Sequence, residues 1–261
     1  MQHVTSKDGT RIGFKRSGTG RPLILVHGTT ADHRRWADIS PRFEQHFTVY
    51  AMDRRGRGAS GDGPDYHIMR EAEDVAAVAA SIGEPVLLLG HSYGAVCSLE
   101  ASLLSGNIGR LILYEPPIPT DVPMYPPGIP DQIQDFADSG DLEKGLALFM
   151  KAVVKMPDHE LAAYRELDMW PNRIKLVPTI AREMVLDRTY EFMPEKFANH
   201  QVPTLLLLGG DSPPLFRRAI ETLSAALPNS QTAVLPGQQH IAMDTAPDLF
   251  VKEVLDFLEK K

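Results

Sequence analysis

The chain has 261 residues, 43% of them apolar and 23% charged, enough for one large α/β domain and too few to assume two independent ones. A formal net charge of −7 excludes the basic footprint that nucleic acid requires, and the single cysteine, Cys97, excludes an intrachain disulfide or a thiolate metal cluster. The apolar runs are too short to cross a bilayer, and the opening residues lack the pattern of a secretory signal. The expectation is a soluble, cytoplasmic protein, a monomer or homodimer, acting on a small molecule with no nucleic-acid or membrane partner.

In chain order, residues 4–6 and 12–16 flank Asp8-Gly9, a tight-turn pair, and predict a hairpin. Continuous apolar runs follow at residues 23–26, 47–52, 86–89, 111–114, 205–208 and 232–235, as expected for strands buried on both faces. Between them, Ile68, Ala72, Val75, Ala79 and Ile82 fall at helical steps of three and four. Further helices are predicted over 92–105, 217–227 and 247–258. Strands alternating with helices imply a mostly parallel sheet covered on both faces. Residues 116–201 break this rhythm with a proline-rich opening, Pro116-Pro117-Ile118-Pro119 and then 123–130, which is expected to be neither helix nor central strand. Short helical patterns then run over 133–136, 142–154, 159–167 and 175–185. This stretch reads as a helical insertion packed over one end of the sheet, between a core of residues 1–115 and 202–261.

The sharpest chemical signal is Gly90-His91-Ser92-Tyr93-Gly94, a Gly-x-Ser-x-Gly placed after a strand and before a helix. Such a reversal lifts the serine hydroxyl clear of the sheet and points helix N-terminal amides at a developing oxyanion. Ser92 is therefore the candidate nucleophile. A serine needs a base, and His240, in the loop between the last strand and the last helix, is the candidate. The adjacent His91 is expected to pack away from the serine, and His3, His67, His159 and His200 to be surface or cap residues. Asp211, at the end of the run 205–208, is the first candidate for the carboxylate that orients His240. Glu115, ending the run 111–114, is the rival. Asp244 is expected to be structural. The oxyanion hole is expected from the N–H groups of Thr29, in His27-Gly28-Thr29-Thr30, and of Tyr93.

His27-Gly28, Asp53-Arg54-Arg55-Gly56-Arg57-Gly58-Ala59-Ser60, Gly90 to Gly94, Asp211 and His240 stand in the order found in the α/β-hydrolase superfamily, which the whole chain resembles. The resemblance implies an eight-stranded, mostly parallel sheet flanked by helices, a helical cap inserted after the sixth strand, and a cofactor-free triad. The usual spacing would place the acid at Ser212 rather than Asp211, unless the turn is slightly shortened. Related dehalogenases keep a glutamate where Glu115 stands. Dehalogenases and epoxide hydrolases use an aspartate nucleophile, and Ser92 argues against both activities.

Two other patterns lead nowhere. Gly56-x-Gly58-x-x-Gly61 matches a dinucleotide fingerprint, but Asp62-Gly63-Pro64-Asp65 follows where a helix N-terminus is needed. Asp32-His33 lacks the further histidines of a metallohydrolase motif, so no metal is expected. The expected reaction is cleavage of a carboxylic ester or lactone of a small, fairly hydrophobic substrate through an acyl-enzyme, with amides, thioesters and carbon–carbon bonds left open because the same triad serves them all. Alternatives are a lyase or cyclase using His240 as base, and a ligand-binding receptor on the same fold.

Overall fold

A computed structural model describes every residue except 157, 260 and 261, so the last two residues of the expected domain lie outside it. Eight strands form one sheet: β1 (Gln2–Thr5), β2 (Arg11–Gly18), β3 (Arg21–Val26), β4 (Phe47–Met52), β5 (Val86–His91), β6 (Ile108–Tyr114), β7 (Thr204–Gly209) and β8 (Ser230–Leu235). Their spatial order is β1-β2-β4-β3-β5-β6-β7-β8. β1 and β2 form the antiparallel hairpin expected around Gly9, β2 also pairs antiparallel with β4, and the remaining pairs are parallel.

The apolar runs are continuous because the sheet is covered twice. Successive residues of a strand point to opposite faces. Ile24, Leu88, Leu206 and Leu208 enter one apolar cluster with the helices Ile68–Ile82, Tyr93–Leu104 and Pro214–Ala226. Leu25, Leu89, Leu205 and Leu207 enter a second cluster with Trp36, Phe43 and the helix Pro247–Leu258. Register then levels the carboxyl ends of the central strands: Val26 pairs with Gly90, His91 with Tyr114, Tyr114 with Leu207, and Gly209 with Leu235. Loops leaving those ends share one edge.

Between β6 and β7 lie the helices Ile129–Ser139, Leu142–Ala152, Asp158–Arg165, Trp170–Ile174 and Val177–Glu183. They enclose a third apolar cluster that includes Ile133, Leu146, Met150, Trp170, Ile180 and Met184. The first of these helices begins inside the proline-rich stretch where no helix was expected. Pro130 sits in its first turn, where the missing N–H would have had no helical partner. This cap is tied to the core by buried charge: Arg54 and Arg57, after β4, both donate to Glu183 Oε1 at the end of Val177–Glu183. Beside them, Arg182 donates to Asp62 Oδ2 at 2.8 Å and to the Arg55 carbonyl at 3.0 Å.

Candidate active site

Ser92 lies between β5 and the helix Tyr93–Leu104 with φ 56° and ψ −128°, a strained conformation for a residue with a side chain. Neighbouring glycines permit the turn. A Cβ at Gly94 would come within 2.3 Å of the His27 carbonyl oxygen, and one at Gly28 within 2.8 Å of Ser92 Cβ. The loop after β3 is thereby packed directly against the serine. Among the described residues, the N–H groups of Thr29 and Tyr93 find no acceptor in the protein, as an oxyanion hole requires.

That loop is braced from beneath. His27 is buried, its Nδ1–H donates to the Gly28 carbonyl at 2.9 Å, and its Nε2 accepts the Arg54 N–H at 3.2 Å. Burial, reinforced by the Arg54 and Arg57 cations, pushes its pKa down to about 3, so the ring is neutral and keeps this tautomer. Arg54 also lies 4.6 Å from the Tyr93 ring centroid. It is held by Glu71 at 2.7 and 2.9 Å. Tyr66 hydroxyl links Glu71 to the Tyr93 hydroxyl, at 2.7 and 2.8 Å. The Arg54–Glu71–Glu183 group was invisible as such in the sequence, since its members are brought together only by folding.

The carboxylate beside His240 is Glu115, not Asp211. His240 Nδ1 lies 2.7 Å from Glu115 Oε2. Glu115 is fully buried, and its Oε1 accepts the Gly209 N–H at 2.7 Å and the Ser212 hydroxyl at 2.5 Å. Asp211 is exposed; its N–H donates to the Gln238 carbonyl at 2.9 Å, and its carboxylate has no partner among the described residues. The turn after β7 is not shortened. Ser212 occupies the position that the usual spacing reserves for the acid, and from there it donates to Glu115. The departure in spacing was the available signal for this rearrangement.

The His240 loop is gripped by the end of β6. The Tyr114 hydroxyl donates to the Gln239 carbonyl and accepts the Ala242 N–H. His91 is indeed buried in packing, yet it also touches this loop: its Nε2 donates to the His240 carbonyl at 2.9 Å, with ring centroids 4.7 Å apart. Burial and the neighbouring His240 hold the His91 pKa well below its ordinary value. Phe216 stacks on the His240 ring at 4.3 Å and 14°. With Nδ1–H committed to Glu115, Nε2 of His240 is left as the basic nitrogen. Ser92 is anchored to the same strand end, its N–H donating to the Tyr114 carbonyl at 2.8 Å. Among the described residues the Ser92 hydroxyl has no hydrogen-bond partner, a link that tightens in enzymes when substrate binds.

Other expected residues resolve simply. Asp244 is structural, held by both terminal nitrogens of Arg35 at 2.7 Å. His200 is buried rather than on the surface, because its Nε2 meets the Ser102 hydroxyl at 2.8 Å. Asp32, His33 and Asp53 cluster within 4.8 Å. Their oxygens are already engaged, Asp53 by His33 and the Ala59 N–H, Asp32 by Arg34.

A profile of the alpha/beta hydrolase family matches residues 23–253. An alpha/beta hydrolase structure from Sphaerobacter thermophilus is similar with a TM-score of 0.86 at 34% identity, over 98% of this chain and 100% of that one. N-formylmaleamate deformylase of Pseudomonas putida is 36% identical over 133 residues, which are 46% of this chain and 50% of the deformylase. A non-heme haloperoxidase of Rhodococcus erythropolis is 25% identical over 274 residues, covering 99% of this chain and 100% of the relative. No described helix is long and apolar enough to cross a membrane.

Proposed function

Since this chain belongs to the alpha/beta hydrolase family, we propose that it is a serine hydrolase whose triad is Ser92, His240 and Glu115, cleaving a carboxylic ester or lactone of a small substrate. The observation that carries the proposal is the 2.7 Å contact from His240 Nδ1 to the buried Glu115 carboxylate, beside a serine held at positive φ. Ser92 Oγ attacks the substrate carbonyl as His240 Nε2 takes its proton. Thr29 and Tyr93 amides receive the oxyanion, and Glu115 stabilises the imidazolium. Collapse expels the alcohol, which leaves with the proton from Nε2. Water, deprotonated by the same nitrogen, then attacks the acyl-serine; the second collapse releases the acid, and Ser92 Oγ recovers its proton from Nε2. The likeness to a deformylase agrees with acyl chemistry at such a centre.

The test is labelling by a fluorophosphonate, read by intact mass, alongside hydrolysis of short chromogenic esters. Wild type is expected to gain one adduct and to turn over; Ser92→Ala is expected to do neither. Turnover that survives in Ser92→Ala overturns the nucleophile. Wild type that takes no label and cleaves no ester points instead to a lyase, a cyclase or a receptor.

A further inference from the structure

Arg173 stands out among the charged groups near the site. It lies on the cap helix Trp170–Ile174, half-buried, and its Nη1 donates to the Thr30 hydroxyl at 3.1 Å. A guanidinium carries five N–H donors, and the described residues accept from Arg173 only through Thr30. The two carboxylates whose field reaches it are committed elsewhere. Asp244 is held by Arg35, and Asp32 by Arg34. Burial shifts the arginine below its ordinary pKa, the mark of a cation lacking a compensating partner. The guanidinium is steadied by an aromatic face, 5.2 Å from the Tyr164 ring centroid, and Tyr164 packs edge-on against Trp170 at 5.8 Å.

Position gives this donor set a use. Thr30 follows Thr29, the oxyanion candidate, and Gly28 is against Ser92. Two residues of chain span at most about 7.6 Å between Cα atoms, so the guanidinium lies a short molecule's length from the reacting carbonyl. Arginine presents its free N–H pairs in a fork that matches a carboxylate.

We propose that Arg173 binds a carboxylate on the substrate, so that the molecule hydrolysed is a short acyl compound bearing a second, anionic end, such as a half-ester of a dicarboxylic acid. This rests on the serine-hydrolase reading of the same centre and names its substrate class. The anion enters next to Arg173, turning a half-used donor into a bidentate one, and fixes the distance from its own carboxylate to Ser92.

The experiment compares matched chromogenic esters, the mono-ester of glutarate and the ester of the neutral acid of equal length, on wild type, Arg173→Gln and Arg173→Lys. Wild type is expected to prefer the anionic ester. In Arg173→Gln the ratio of kcat/KM, anionic over neutral, is expected to fall about tenfold or more, mostly through KM. The lysine variant should recover part of that ratio. Parallel loss for both esters, or an unchanged ratio, overturns the proposal and leaves Arg173 as a clamp on Thr30. Calorimetric binding of glutarate to Ser92→Ala, with and without Arg173→Gln, needs no turnover. Binding that requires Arg173 supports the site even where fluorophosphonate labelling has refuted the nucleophile, and binding indifferent to Arg173 refutes it.

Discussion

Glu115 occupies a costly backbone position, φ 47°, immediately past β6. That conformation is unusual for a residue with a Cβ and persists where surrounding bonds over-determine it. Here three donors do so: the Gly209 N–H, the Ser212 hydroxyl and His240 Nδ1. The Glu115 N–H itself is tied to the Leu207 carbonyl at 3.2 Å. Glu115→Gln keeps the shape but removes the charge that stabilises the imidazolium, so kcat on a chromogenic ester is expected to drop by about a thousandfold or more. Asp211→Asn, at an exposed side chain, is expected to stay within about twofold, since surface changes away from such contacts are mild. A loss in Asp211→Asn that Glu115→Gln does not share would return the acid to Asp211.

At the scale of elements, the cap is fastened by electrostatics as well as by apolar packing. Glu183 ends the helix Val177–Glu183 and meets Arg54 and Arg57, all three side chains nearly sealed from solvent. Arg54 then touches Glu71, Tyr93 and the His27 carbonyl, so the contact that seats the cap also stiffens Tyr93, the oxyanion candidate. Removing one member of a buried ion cluster strands the opposite charge. Glu183→Gln is therefore expected to lower stability by about 3–5 kcal/mol in urea unfolding. An unchanged midpoint would mean that apolar packing alone holds the helix. The helix itself was legible from its periodicity, whereas the side chain tying it down was not: Glu183 lies more than a hundred residues from Arg54, and separation in sequence hides such a pair.

Across the whole molecule, three buried or half-buried histidines, His27, His91 and His200, have pKa values lowered by burial. The unfolded chain binds protons at these sites below about pH 6.5, while the folded chain binds them only at lower pH. Stability is accordingly present above that pH and lost as pH falls, by up to about 1.4 kcal/mol per pH unit for each histidine. His33 acts in the opposite sense: its hydrogen bond to Asp53 raises its pKa, so its contribution is present at low pH and lost as pH rises. Three against one leaves a net decline. Unfolding free energy is expected to fall between pH 7 and pH 5, before ordinary carboxylates titrate, and a flat profile there would contradict the neutral burial of these rings.

The strands, the helical face of Ile68–Ile82, the serine elbow and the place of the insertion were legible before folding, because each depends on local periodicity or on the steric demands of a single turn. Carboxylate choice was different. Glu115 and Asp211 both leave the carboxyl ends of neighbouring strands, and only β6–β7 register and the backbone direction past each strand decide which one reaches His240. The arginine fork over Thr30 and the Glu183 latch likewise exist only once distant segments are folded against each other. Direction and proximity are tertiary quantities; residue type and spacing are not.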